Sequence, residues 1–332
     1  MFGSDEIIRV GMIGCGSNAR GHMRRLLDIE GVEIVAICDP DDAAVTAAGE
    51  VSADIAKARV FGDYREMLAD VEMDAVEIST PHTLHYEQII ASLAAGLHVL
   101  CEKPMVCRSA DARAVLDKVE ETGLTLGVSY QRHGLAPYRY CREAITSGAA
   151  GNCHFVSCVQ SQNWYRKQVG DGTWRSQMKW SGGGQLNDSG SHLLDIVLWM
   201  TELSPVEVFA FQDNMGSEVD ILSAISVKFE NNALCNLAVV GHAVNFYEEI
   251  VLYCENATMV IAGDEVWRWE DEVKEVISSD QLGSSPSPDA NFIGALRGEE
   301  EIQASPDCAL EVARLSEAVW ESAASGRPVA TT

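Results

Sequence analysis

Asp188, His192 and Asp195 open the apolar run of SGGGQLNDSGSHLLDIVLWM, residues 181–200. At 100° per residue the three would project within about 60° of one another on a helix. Carboxylates and an imidazole grouped in this way can move a proton near neutral pH. The competing reading makes Asp188 or Ser189 a helix cap and His192 a satisfied core side chain. Gly182, Gly183, Gly184 and Gly190 let the chain come close to a ligand just before the run.

A second chemical group is Lys103 in LHVLCEKP, pinned by Pro104. It is either a solvated charge at a strand end or, beside a reacting centre, a donor to a substrate oxygen that stabilises alkoxide character. The third is the turn GMIGCGSNARG, which sets Gly14-x-Gly16-x-x-Ala19 between a strand-like and a helix-like segment. Such glycines allow a tight turn and close approach of a pyrophosphate, and the first helical N–H groups, from Ser17 and Asn18 onward, face that anion. Asp39 ends the next strand at the offset of a ribose-binding carboxylate. CDPDDAAV has no Arg or Lys to neutralise a 2′-phosphate, and Asp41 and Asp42 deepen its negative charge, so NAD is expected rather than NADP. His82 and His85 are three apart like a metal pair, but the remaining ligands are missing and no metal is expected. His22 is expected only to pack.

Strand-like and helix-like segments must position these residues. They alternate over the first 131 residues: IIRVGMIG, SNARGHMRRLLDIEG, VEIVAICD, DAVEISTP, TLHYEQIIASLAAG, LHVLCEKP and LTLGVSYQ are the clearest. This alternation predicts a parallel doubly wound Rossmann sheet. Ligands bind beyond the carboxyl ends of such strands. That places Ser79, Thr80, Pro81 and His82, then Glu102 and Lys103, then Gln131 with Tyr130 and Arg132, toward the cofactor.

From residue 152 onward β-branched and aromatic runs dominate, with ENN and ENA as hairpin turns. They predict an α+β domain with a large, mainly antiparallel open sheet. Helices are expected at 135–147, 289–297 and 306–325, and a polar loop at 278–289. The expected division is 1–131 for NAD binding and 132–332 for substrate binding and oligomerisation.

A formal net charge of −26 disfavours nucleic acid and anionic membrane as partners. No run has transmembrane length, and the acidic MFGSDEII is no signal peptide. The ten cysteines lack CxxC pairs and read as reduced, mostly buried thiols of a cytoplasmic protein.

Gly14-Cys15-Gly16, Asp39, Thr80-Pro81-His82-x-x-His85, Glu102-Lys103-Pro104 and Gly183-Gly184-x-Leu186-x-Asp188-x-Gly190-x-His192-x-x-Asp195 occur in one order. Together they resemble the glucose–fructose oxidoreductase/inositol dehydrogenase (Gfo/Idh/MocA) family over essentially the whole chain. His82 departs from it, standing where many relatives carry Asn. The resemblance implies that Lys103, Asp188 and His192 surround the reacting carbon of a sugar, inositol or other polyol, with His192 as general base. It also implies homodimers or homotetramers built face to face on the second sheet. Asp195, Trp174 and Arg175 are expected to line the sugar pocket; for the last two, ordinary packing and a surface cation is the competing reading. The leading expectation is an NAD-dependent dehydrogenase. A redox-neutral NAD-dependent glycosidase and a non-catalytic NAD-binding sensor are the rivals.

Overall fold

The computed structural model describes residues 2–3 and 6–331. Its first apolar runs become β1 (Ile8–Ile13), β2 (Val32–Cys38), β3 (Arg59–Phe61), β4 (Ala75–Ile78), β5 (His98–Cys101) and β6 (Leu126–Val128). All pair in parallel, in the order β3-β2-β1-β4-β5-β6. The order reverses between β1 and β4, and a crevice for a dinucleotide opens at such a reversal. The intervening helices are α1 (Ser17–Leu27), α2 (Asp42–Gly49), α3 (Tyr64–Asp70), α4 (His85–Ala94) and α5 (Ser109–Thr122). Asp41 and Asp63 cap α2 and α3 by accepting the N–H of Ala43 and Arg65.

The remaining elements are α6 (Ala136–Thr146), β7 (Cys153–Ser161), α7 (Met178–Ser181), α8 (Ser191–Thr201), β8 (Pro205–Asp213), β9 (Leu222–Phe229) and β10 (Leu234–Val240). After them come β11 (Tyr247–Cys254), β12 (Thr258–Ala262), β13 (Glu265–Glu270), β14 (Val273–Ile277), α9 (Ser279–Leu282), α10 (Pro288–Arg297), α11 (Pro306–Ser325) and β15 (Val329–Ala330). Nine strands form one sheet in the order β14-β13-β12-β11-β7-β10-β9-β8-β15. Every pairing is antiparallel except β7 with β10. Alternation buries Ile225, Val227, Phe229, Cys235, Leu237 and Val239 on one face.

Two compact units result. The first is Met1–Val106, Ala110–Gln131 and Pro286–Ala309; the second is Cys107–Ser109, Arg132–Ser285 and Leu310–Thr332. The single division after residue 131 therefore needs correction. The chain returns to the first unit because Phe292, Ile293 and Leu296 of α10 complete a core with Ile8, Val10, Met12, Met23 and Leu26. These three are at most 2% exposed, and apolar area of that size is costly to leave in water. Ser287 caps α10 and Pro288 pre-sets its first turn.

Candidate active site

In the first unit, Gly14 has φ 103°, and a Cβ there would lie 2.7 Å from the Ser79 carbonyl oxygen. Only glycine lets the end of β1 pass the end of β4 so closely. Gly16 is different: a Cβ would meet nothing within 4 Å. It precedes an α1 whose first turn has neither a side-chain cap nor an acidic residue. Ser17 and Asn18 are exposed in that turn. Open space before uncapped N–H groups fits a pyrophosphate.

Asp39 follows β2, where its Oδ2 accepts the Cys15 N–H at 2.8 Å and its Oδ1 the Asp41 N–H at 2.9 Å. Each oxygen keeps a lone pair for a ribose hydroxyl. The residues present fit NAD. The Cys15 thiol is pushed up to about 12 by burial and then by Asp39, so it is a packing group.

After β4, Ser79 donates to Glu77, and Thr80 Oγ1 donates to Gln88 Oε1 at 2.5 Å. Pro81 leads into a single 3-10 turn, His82–Leu84. His82 is 4% exposed and meets the His85 ring edge-on at 5.9 Å. His85 lies buried at the start of α4. Its Nε2 lies 2.8 Å from the Thr80 carbonyl and its Nδ1 2.9 Å from the Pro104 carbonyl, so the ring packs between the turns after β4 and β5 and, kept neutral by burial, donates to one of them. Lys103 is half-buried and joined to Pro104 by a cis peptide. Gln131 is exposed at the start of a 3-10 turn, Gln131–His133. Arg132, expected near the cofactor, is instead buried in the second unit, 2.6 Å from Glu248.

In the second unit, the expectation that Asp188 shares an α-helical face with His192 and Asp195 fails. Leu186–Gly190 form a π-helical turn, and α-helical geometry begins only at Ser191. Neither Asp188 nor Ser189 caps α8, because the residue before it, Gly190, is itself helical. The chain entering that turn is tightly held by its neighbours. A Cβ on Gly184 would lie 2.0 Å from the Asp220 carbonyl oxygen. The Asp220 carboxylate accepts the N–H of Leu186 at 2.8 Å, that of Gly184 at 3.0 Å and the Trp320 indole at 3.2 Å. Burial raises the Asp220 carboxyl against the pull of those donors.

Asp188 is 6% exposed, and its Oδ2 accepts the Trp164 indole N–H at 2.7 Å and pairs with Arg175 Nε at 3.3 Å. The Arg175 guanidinium lies over the Trp174 ring at 4.4 Å. Arg175 and Trp174 are thus attached to the same cluster as Asp188, and His192 follows in the first turn of α8 at 9% exposure. Asp195 is corrected. It is 1% exposed and spent on His133, whose Nε2 lies 2.9 and 3.1 Å from its two oxygens. That ring also stacks on Trp199 at 4.4 Å, so Asp195 braces α8 from within. Trp164 and Asp220 escaped the sequence analysis. The one visible signal for Asp220 is an acid at the head of the apolar strand DILSAISV.

The Gfo/Idh/MocA description "Oxidoreductase family, NAD-binding Rossmann fold" matches residues 8–130, and that family's C-terminal domain matches 138–260. A 4-carboxy-2-hydroxymuconate-6-semialdehyde dehydrogenase of a Sphingobium species is 27% identical over 318 residues, 90% of this chain and 93% of that protein. The D-glucoside 3-dehydrogenase of Escherichia coli is 29% identical over 196 residues, 58% of this chain and 54% of that protein. In fold, the WlbA dehydrogenase of Bordetella pertussis, solved with NADH and UDP-GlcNAcA, superposes with a TM-score of 0.86 at 24% identity and 99% coverage of both chains. A levoglucosan dehydrogenase solved with NADH gives 0.87 at 19% identity, covering 98% of this chain and 100% of that one. With both domain descriptions matched in order over most of its length, the chain belongs to the Gfo/Idh/MocA family of NAD-binding oxidoreductases.

Proposed function

We propose that this oxidoreductase is an NAD-dependent dehydrogenase of a sugar, inositol or related polyol. The observation that carries the reading is the buried Asp188 cluster, in which Trp164, Arg175 and a π-helical turn fix a carboxylate just before His192. A fixed carboxylate can hold a hydroxyl of a polyol while a neighbouring imidazole exchanges its proton. Relatives described as D-glucoside, inositol and levoglucosan dehydrogenases support the substrate class.

When bound, NAD would supply the acceptor for a hydride, one proton with two electrons, from the substrate carbon. Gly14, Gly16 and the α1 N-terminus hold the pyrophosphate, and Asp39 holds the adenosine ribose. Ser79, Thr80, Pro81, His82, Glu102 and Gln131 shape the rest of that site. His192 takes the hydroxyl proton. The Lys103 ammonium is the donor assigned to stabilise negative charge developing on a substrate oxygen. Asp188 orients the substrate, and Trp174 and Arg175 complete its pocket.

The second sheet also supports a homo-oligomer. Phe211 on β8 is 68% exposed and pairs with the smaller Ala224 on β9, which pairs with Ala238 on β10; Leu234, on the same face of β10, is 48% exposed opposite Lys228. A second copy would cover such a face.

The function is tested by offering NAD with inositols, aldoses, amino sugars, glycosides and a carboxylated semialdehyde, reading NADH absorbance and products together. NADH formed with a polyol is the expected result. NADH formed with the semialdehyde alone would overturn the polyol assignment, and its absence with every compound would overturn the dehydrogenase reading.

A further inference from the structure

His22, expected only to pack, is 1% exposed in α1 and has a carboxylate at each ring nitrogen. Nδ1 lies 2.6 Å from Asp289 Oδ1 on α10, and Nε2 lies 3.1 Å from Glu102 Oε1 after β5. Ionised carboxylates only accept hydrogen bonds, and a neutral imidazole has one donor. Both contacts are made together only by the doubly protonated ring.

Other charged groups surround it. Glu77 on β4 places Oε1 3.6 Å from Nε2, and Arg25, on the same helix as His22, pairs with Asp289. Lys103 and His85 of α4 act on Glu102, and the Cys101 thiol feels both Glu77 and Glu102. Burial alone would strip the proton from His22, but Glu77, Asp289 and Glu102 outweigh it and hold the ring well above its ordinary value. Burial likewise opposes ionisation of Glu102, yet the hydrogen bond and charge of His22, with Lys103, bring that carboxyl down to about 2. Glu77 takes the opposite course, raised to about 7 by burial despite His22 and Ser79.

The grip reaches one residue further. The second oxygen of Glu102 accepts the backbone N–H of Lys103 at 3.1 Å. On the other side of Lys103, the His85 ring lies 2.9 Å from the Pro104 carbonyl and 2.8 Å from that of Thr80, and, kept neutral by burial, it donates to one of the two. Lys103 is therefore rooted beside a pinned Glu102, whose outer anchor through His22 is Asp289, 267 residues from His22. A buried ionic cluster is a poor source of net stability compared with apolar packing. Fixing the root of a flexible ammonium is what such a cluster does well.

We propose that His22, holding Asp289 with one ring nitrogen and Glu102 with the other, is the positioning residue for Lys103. The proposal rests on the role assigned to Lys103 above. Its test separates the two, because two of its three measurements need no turnover. Nitrogen NMR of the NAD-bound wild type should show His22 as imidazolium at neutral pH. The carbon signal of reductively dimethylated Lys103, identified by its loss in Lys103→Ala, should shift in His22→Gln and stay in place in the core control Ile55→Val. With a substrate in hand, His22→Gln should lower kcat roughly ten- to hundredfold, the value of a charged hydrogen bond. KM should then stay within about threefold, as when an interaction made in the transition state is lost. Asp289→Asn should move the same readouts less far, and it decides the matter if His22→Gln does not fold. A neutral His22 in the wild type, or a folded His22→Gln with the Lys103 signal unmoved, would overturn the proposal. A wild type that forms no NADH overturns the dehydrogenase reading instead.

Discussion

On the proposed mechanism, removing the Lys103 ammonium takes away charge stabilisation and removing the His192 imidazole takes away proton transfer. Lys103→Ala and His192→Ala should each lower turnover by ~10²-fold or more. NAD affinity, read by quenching of protein fluorescence, should change little. Near wild-type turnover in either would remove that residue from the mechanism. Asp39→Ala tests the cofactor. The wild type should prefer NAD over NADP by ~10²-fold, the worth of about 2–3 kcal/mol in a charged hydrogen bond plus repulsion. The variant should lose NAD affinity and narrow the ratio without gaining a donor for the 2′-phosphate; equal wild-type affinities would displace the ribose from Asp39. Gly14, Gly16 and Asp39 were legible in the sequence because their chemistry is local: a turn between a strand and a helix, and a strand end. Asp289, Glu77 and Asp220 were not, because each acts on a partner brought close only by folding, as when Asp220 accepts from Gly184, 36 residues away.

The turn before α8 is where the sequence pattern misled. A hydrophobic run of helical period was legible, and α8 spans it as Ser191–Thr201. The π geometry of Leu186–Gly190 was not, and the contacts that hold the chain at its entrance, from Gly184 and Leu186 to Asp220, form only on folding. Gly184→Ala should therefore be among the most damaging small substitutions in the chain. A methyl 2.0 Å from a carbonyl oxygen forces backbone to move, at a cost of ~3 kcal/mol or more. The contrast is Gly49→Ala at the end of α2, where a Cβ meets nothing within 4 Å. That change should stabilise by ~0.5 kcal/mol, because alanine is the better helix former and restricts the unfolded chain. Urea midpoints of the two variants check both, and a Gly184→Ala protein as stable as wild type would show that the turn adapts.

For the molecule as a whole, the outer face of the nine-stranded sheet predicts an assembly of two or four copies, and light scattering at micromolar concentration should find it. A monomeric mass would leave that face without its occupant. The buried cluster around His22 predicts how stability depends on pH. Glu77 has its folded value raised from 4.5 to about 7, so its contribution is complete below the unfolded value and is lost as pH rises through 7. His22, raised well above 6.5, acts in the same direction at higher pH. Glu102, lowered from 4.5 to about 2, contributes above its unfolded value and loses that contribution as pH falls through 2. Denaturant midpoints should peak in mild acid and fall toward alkaline pH. Glu77→Gln should flatten the decline between about pH 4.5 and 7, and an unchanged slope would place the proton elsewhere. The return of Pro286–Ala309 to the first unit bears on how the protein is made. Synthesis is vectorial, and the ribosome delivers all six strands of the first sheet long before α10 emerges. For on the order of tens of seconds the nascent Rossmann half lacks Phe292, Ile293, Leu296 and the Asp289 partner of His22. A translational pause inside the second unit prolongs that interval, and a chain cut short near residue 285 never leaves it.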